Sequence, residues 1–294
     1  MHPRWWAARA HPGEPGQLSP SIARAFDRLG GLIRIAHAPT IEGLENLPES
    51  GAFLLVANHS GGIAVSEIAS FGWLWRSRIG ADRKLAGLGH PFGFSLWPIS
   101  FFVRRLGMVP STREHALAAL ARGIPVLVFP GGDYETSRPI WQATRVQFAG
   151  RKGFLKLARE AKVPVVPMGI RGSAFTAPNL WRSRLLAWLL VIPKLVGVRQ
   201  FPLTALGLLG ALAAALLPIH PAARALLAWA WVGSLFALLP WIPARIRFRL
   251  GKPIPSEELF PSGTEDERQL ALAYQRVESE VQALVDGGSA ATRP

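Results

Sequence analysis

The chain has no cysteine among its 294 residues, which excludes disulfides, thiolate nucleophiles and cysteine-ligated metal together. Acids are scarce as well: 19 Asp and Glu stand against 33 Lys and Arg, a formal net charge of +14. A surplus of that size points to a negatively charged partner, whether nucleic acid, an anionic membrane or a phosphorylated co-substrate. No nucleic-acid-binding motif accompanies it. No two histidines have zinc-site spacing, and no G-x-S-x-G elbow marks a serine hydrolase. The opening Met1-His2-Pro3-Arg4-Trp5-Trp6 lacks the features of a secretory signal, and its tryptophans suit either a membrane interface or an irregular start.

What is abundant is apolar surface. Hydrophobic residues make up 49% of the chain, with 11 tryptophans, and mean hydropathy is +0.22. That balance is foreign to a nucleic-acid binder and natural beside lipid, so the expected partner is an anionic membrane surface and not nucleic acid. Phe201 to Ile219 and Ala225 to Pro243 each run for 19 residues without a charge. As helices they would each reach roughly 28 Å, near the about 30 Å of a bilayer's hydrocarbon core. Only five residues, His220 to Arg224, separate them, which predicts a hydrophobic helical hairpin, either a full transmembrane span or a shallow re-entrant one. A buried helical pair in an ordinary core is the alternative. Arg182, Arg184, Lys194 and Arg199 precede the hairpin, Arg245, Arg247 and Arg249 follow it, and Arg224 alone marks its tip. The positive-inside tendency then sets the remaining domain on the cytoplasmic side of the membrane. Between Arg138 and Arg199 twelve basic residues accompany a single acid, Glu160, a run suited to lipid headgroups.

The rest alternates strand and helix. Apolar periodicity predicts a helix over Ser21–Ala36, strands over Thr40–Leu44 and Ala52–Val56, a helix over Val65–Ile79, a strand over Arg83–Leu88 and a broken helical stretch to Arg105. A helix over Glu114–Arg122, a strand over Ile124–Phe129, a basic amphipathic helix over Gly150–Lys162 and a strand over Val163–Ile170 follow. Arg245–Leu250 alternates with period two and reads as a half-exposed strand closing the sheet edge, and Thr264–Val285 as a final surface helix. This is the pattern of an α/β fold with a mixed, mainly parallel sheet flanked by helices and an inserted hydrophobic helical hairpin. Four regions result: residues 1–37, an irregular segment and amphipathic helix; 38–180, the α/β core; 181–243, the basic segment and hairpin; and 244–294, the closing strand and last helix.

Two glycine-bearing turns follow buried strands. Asn58-His59-Ser60-Gly61-Gly62 offers a base, and Phe129-Pro130-Gly131-Gly132-Asp133-Tyr134-Glu135 offers acids. Both open at the carboxyl ends of strands, where open α/β sheets place their sites. Backbone amides at Gly61 and Gly62 are approachable and suited to an oxyanion. Together with Val103-Arg104-Arg105-Leu106-Gly107-Met108-Val109-Pro110 and Val163-Pro164-Val165-Val166-Pro167-Met168-Gly169, these turns follow the order of four sequence blocks, and over residues 38 to 175 the chain resembles the PlsC-like glycerolipid acyltransferases, above all their glycine-rich branch related to diacylglycerol acyltransferases.

The resemblance implies acyl transfer from a thioester, acyl-CoA or acyl carrier protein, to a lipid hydroxyl, with no resident cofactor. It implies His59 as general base, without an acyl-enzyme. Asn58, Ser60, Gly61, Gly62, Arg104, Phe129, Pro130, Gly131, Gly132, Asp133, Glu135 and Arg138 are the implied substrate-binding residues. The family's aspartate, commonly in H-x-x-x-x-D, is missing, since Ala64 stands there; Glu67 or Ser66 is then expected to orient the imidazole. Gly131 stands where many phospholipid-directed members carry glutamate, which favours an uncharged acceptor. A catalytically weak or inactive lipid-binding homologue at the membrane is the alternative implied if neither Glu67 nor Ser66 serves.

Overall fold

A computed structural model describes residues 13–60, 66–95, 97, 99–190, 200–261 and 266–288. Among the described residues seven strands form one sheet, and a separate two-stranded sheet lies in the excursion between the sixth strand and the last. The strands are β1 (Thr40–Glu42), β2 (Leu54–Ala57), β3 (Ala86–Gly89), β4 (Val109–Pro110), β5 (Val126–Val128), β6 (Val165–Arg171), β7 (Asn179–Ser183), β8 (Phe201–Thr204) and β9 (Arg247–Leu250). The large sheet runs β1-β9-β6-β2-β5-β3-β4, and β7 pairs with β8. Every pairing in the large sheet is parallel except β6 with β9. The fold is therefore α/β with a mixed, mainly parallel sheet.

The centre of the sheet is β2, hydrogen-bonded on both sides and fully buried along its length. Alternate residues point to opposite faces. Leu54 and Val56 join Val126, Val165 and the helices Arg113–Ala121, Gly153–Ala161 and Glu267–Asp286 in one core layer. Phe53, Leu55 and Ala57 join Val166, Met168, Phe248 and the helix Ser66–Leu74 in the other. A parallel strand with helices on both faces needs such an unbroken apolar run. Thr112 caps the helix Arg113–Ala121 by accepting from the His115 N–H.

Three expectations require correction. Strand β9 lies between β1 and β6 rather than at the edge, because its antiparallel pairing with β6 leaves its other side to β1, which is the true edge. The final helix is only half a surface helix: Leu270, Ala273, Val277, Val281 and Leu284 are buried against the sheet. The hydrophobic excursion is built from shorter pieces than the charge-free runs suggested. Phe201–Thr204 is strand, followed by helices Ala205–Ala215 and Pro221–Val232 that pack on each other. Among the described residues no helix is long and apolar enough to cross a membrane. Pro218 and Pro221 bracket the turn and end the periodicity early. Trp5, Trp6, Lys194 and Arg199 lie outside the described residues.

Gly169 in β6 shows how closely the last helix is seated. A Cβ there would stand 2.6 Å from the Leu284 Cβ and 2.7 Å from the Val285 backbone nitrogen. Gly169→Ala should therefore destabilise the protein by about 1–3 kcal/mol through overpacking. Gly153→Ala, which meets nothing within 4 Å, should be neutral or stabilising by about 0.4–1 kcal/mol. Thermal unfolding of the two variants checks this, and equal midpoints would refute the packing argument.

Candidate active site

Strand β2 ends at Ala57, and the three residues after it have divided tasks. Asn58 extends the sheet by one step: its amide donates to the Ile170 carbonyl at 2.9 Å while its carbonyl accepts from the Ile170 N–H at 2.7 Å. Ser60 is equally committed, its buried hydroxyl lying 2.6 Å from that of Ser173. Both side chains, expected to contact a substrate, are engaged within the protein in this structure. Gly61, Gly62 and Ala64 lie outside the described residues.

His59 is different. Its Nδ1 contacts Glu67 Oε1, and its ring stacks on Phe129 with centroids 4.5 Å apart and planes at 28°. Among the described residues nothing is bonded to Nε2, and the side chain is 14% exposed. Phe129 arrives there because β2 and β5 are parallel neighbours with Val56 opposite Val128, so both turns leave the sheet side by side.

Glu67 occupies the first turn of the helix Ser66–Leu74 and is completely buried. Burial alone pushes a carboxyl up. The facing His59 and hydrogen bonds from its ring, Ser173 and the Ser60 N–H outweigh that and hold Glu67 below the ordinary carboxylate range. Ser66, the other candidate for orienting the ring, has its hydroxyl 2.9 Å from that of Thr176 instead. Of the two, Glu67 is therefore the one that contacts the His59 ring.

A second buried carboxylate meets the same histidine from below. Glu135 Oε2 accepts from the His59 N–H at 2.8 Å, and Oε1 accepts from the Gln147 N–H at 2.9 Å. Arg138 lies 3.4 Å from Glu135 and donates to the His59 carbonyl at 3.5 Å. Glu135 and Arg138 are 1% and 4% exposed, so they grip the main chain of His59 at its N–H and its C=O rather than facing a substrate, contrary to expectation. Burial pushes the Glu135 carboxyl up to about 7 against the opposing pull of Arg138 and the two N–H donors. Burial likewise lowers Arg138, with Glu135 opposing.

This arrangement explains Gly131. A Cβ at that position would collide with the Glu135 side chain, so Glu135 fills from one turn later the space a side chain at 131 would need. Gly132 has φ of +46°, and the Arg151 guanidinium stands 2.6 Å from where its Cβ would be. Arg151 donates to the Gly131 carbonyl at 3.0 Å and to Asp133 at 2.5 Å, and it approaches the carbonyl of buried Pro130 at 3.4 Å. Asp133 is exposed and ion-paired. Arg104 donates to the Phe94 carbonyl at 2.8 Å and thereby holds the broken helical stretch before it. Among the described contact residues, Phe129 lines a cavity. It joins Ile68, Phe71, Trp75, Leu88 and Met108 around an apolar cavity of about 390 Å³, whose rim carries Arg76, Asp82 and Lys84.

Sequence reasoning missed Ser173, Thr176, Gln147 and Arg151. The first two carried a signal, polar residues in Gly172-Ser173-Ala174-Phe175-Thr176 directly after a buried strand. The other two carried none, since one acts through its main chain and the other lay in an unremarkable basic run.

Comparison with known proteins finds several similarities. Residues 38–171 match the family model described as Acyltransferase. An uncharacterized protein of Mycobacterium tuberculosis is 32% identical over 231 residues, 77% of this chain and 54% of that protein. A Gallus gallus protein described as "DGAT1/2-independent enzyme synthesizing storage lipids" is 30% identical over 46% of this chain and 39% of its own length. The chain thus spans about half the length, or less, of these curated relatives. The crystal structure of the 1-acyl-sn-glycerophosphate acyltransferase PlsC from Thermotoga maritima aligns over 91% of this chain and 84% of that one, with a TM-score of 0.45 and 16% identity. The likeness to the acyltransferase family covers residues 38–171.

Two outcomes follow from the interlock. Gly131→Ala should lower the unfolding midpoint in the wild-type background and be tolerated in a Glu135→Ala background, a coupling read by a double-mutant cycle. Because Glu135 is raised when folded, the native state holds its proton more tightly than the unfolded chain, so its contribution weakens as pH rises from about 4.5 to about 7. The stability difference between wild type and Glu135→Gln should fall over that window. A pH-independent difference would contradict the raised carboxyl.

Proposed function

We propose that this chain is a membrane-associated O-acyltransferase that moves a fatty acyl group from acyl-CoA or acyl carrier protein to the hydroxyl of a glycerolipid. The supporting observation is the buried Glu67 on His59 Nδ1, which fixes the ring with its Nε2 lone pair outward. In this reading Nε2 accepts the acceptor's hydroxyl proton as the oxygen attacks the thioester carbonyl. The C–S bond then breaks, and the departing thiolate recovers the proton from the imidazolium. No acyl-enzyme forms, and Glu67 stabilises the transient imidazolium as an aspartate does in comparable dyads.

The cavity walled by Phe129 and Phe71 is the natural berth for the acyl chain, being apolar and sharing Phe129 with the His59 ring stack. Arg138 is buried against Glu135 and Arg104 donates to the Phe94 carbonyl, so neither guanidinium is wholly free for a phosphate on the acceptor. An uncharged mono- or diacylglycerol suits the site better, in keeping with the storage-lipid activity in the name of the Gallus gallus relative. Donors of this kind are cytoplasmic, so the catalytic domain is assigned to that side of the membrane. A catalytically silent lipid-binding homologue would have no use for a completely buried carboxylate facing a histidine.

The test is acyl transfer by the purified full chain from labelled acyl-CoA to mono- and diacylglycerol in mixed micelles. His59→Ala should abolish turnover, and Glu67→Gln should lower kcat by roughly 10²–10⁴-fold with little change in KM. Ser66→Ala should leave kcat near wild type. Full activity in His59→Ala would overturn the mechanism.

A further inference from the structure

The excursion between β6 and β9 contradicts the rules by which soluble proteins hide apolar surface. From Ala205 to Phe236 only Gly207 and Ala214 are buried. Leu209, Leu212 and Leu216 recur at helical spacing along the first helix of the pair and are 63%, 54% and 85% exposed, while Leu226 on the second is 63% exposed. Leu185, Trp188, Leu235, Phe236 and Trp241 continue the patch on either side. An apolar surface of this continuity requires a cover.

Several polar side chains of the same segment find partners within the protein. The indole N–H groups of Trp229, Trp231 and Trp241 donate to the carbonyls of Leu189, Leu206 and Phe236 at 3.0, 3.0 and 2.8 Å. The Ser234 hydroxyl donates to the Trp231 carbonyl at 2.7 Å, and Thr204 caps the first helix. Arg224, at the turn, donates to the Ile219 and Ala215 carbonyls at 2.9 and 3.2 Å, which closes the carboxyl end of the first helix. Water is not needed to complete these bonds, and a medium without hydrogen-bonding capacity demands that condition.

Charge selects the cover. Between Glu160 and Glu257 the sequence contains no acid, while Arg182, Arg184, Arg224 and Arg245 border the exposed patch. A second copy of the chain would bring these arginines against their own kind with no carboxylate between them. Anionic headgroups pair with them instead. Length and charge together set the posture. Helices of 11 and 12 residues extend only about 16 and 18 Å against an about 30 Å hydrocarbon core. Arginines stand at the base of the pair and also at its turn, so both ends belong at headgroup level.

From these observations we infer that the helices Ala205–Ala215 and Pro221–Val232 form an in-plane dock, lying flat in one leaflet of an anionic bilayer without crossing it. The dock is fastened to the candidate site: the Asn179 amide donates to the Thr136 carbonyl at 2.7 Å, and Arg182 donates to the Tyr134 carbonyl at 3.1 Å. It thereby holds the turn carrying Glu135 against the lipid surface. The inference deepens the acyltransferase reading by naming the surface from which a lipid acceptor arrives, and it relies on that reading only for this purpose.

The absence of native cysteine makes the test clean. Single-cysteine variants Leu209→Cys, Leu216→Cys and, as a control on the last helix, Leu272→Cys receive an environment-sensitive dye. They are mixed with vesicles of phosphatidylcholine alone or with phosphatidylglycerol. Binding to the anionic vesicles should be at least about tenfold tighter and weaken with salt. Labels at 209 and 216 should be quenched by nitroxide lipids carrying the radical near the headgroup more than by those carrying it near the chain end, and the label at 272 by neither. Deeper quenching at 216 than at 209, or modification of 216 by an impermeant reagent enclosed in the vesicles, would overturn the flat posture. Self-association that shields 209 and 216 without lipid would overturn the membrane as partner. Leu212→Asp with Leu226→Asp should lose vesicle binding at least tenfold yet still transfer acyl groups to micellar acceptor. His59→Ala should bind vesicles as wild type, so failure of the dock and failure of the chemistry give different results.

Discussion

The convergence of two buried carboxylates on one histidine is the constraint that organises this molecule. Glu67 takes the ring of His59 and Glu135 takes its main-chain N–H. Carboxylates so enclosed are costly unless each finds donors or a counter-charge. The surrounding architecture supplies them: the first turn of a helix, the Ser60 and Gln147 N–H groups, the Ser173 hydroxyl and the Arg138 guanidinium. The two acids also differ in character. Glu67, set against the imidazole, is stabilised as an anion, while Glu135, set mainly against main chain, is pushed toward neutrality. One holds the ring and the other holds the main chain beneath it.

The sheet makes that convergence possible. Parallel pairing of β2 with both β5 and β6 brings three loops to one edge, and register does the rest: Val56 faces Val128 on one side and Pro167 on the other. The loop after β2 carries His59, the one after β5 carries Phe129 through Arg138, and the one after β6 carries Ser173 and Thr176. Asn58 ties the first of these to β6 beyond the last ladder step, so the histidine leaves the sheet from a fixed point.

Much of this was legible in the sequence, and the limits were physical. Uninterrupted apolar runs such as Leu54–Ala57 announced central strands, and the α/β class followed from their alternation with amphipathic helices. His59 stood out by its place between a strand and glycines, and Glu67 because an acid was missing where the four-block pattern expects one. Partnerships were not legible. Nothing local distinguishes Glu135, which lies under the histidine, from Asp133, which faces solvent two residues earlier; the difference arises only when the turn folds back on Gly131. Charge-free runs overstated helix length for a similar reason, since hydropathy does not register that Phe201–Thr204 pairs with β7 or that two prolines bracket the turn. The position of β9 depended on pairing with a partner far away in sequence, which period-two alternation cannot reveal.

Strand β9 returns antiparallel beside β6, with Arg171 opposite Arg247, so the whole excursion from Gly172 to Ile246 begins and ends at adjacent points of the sheet. Topologically it is an overgrown hairpin loop. Loop-closure entropy rises only slowly with length, so such a loop can lengthen, shorten or change composition over evolutionary time while the sheet pairs as before. Its opening stretch, from Ser173 to Arg182, is bonded to the loops at this edge of the sheet; the helices beyond it are attached through that stretch. A scaffold organised in this way can keep its chemistry fixed while altering the surface on which that chemistry is carried out.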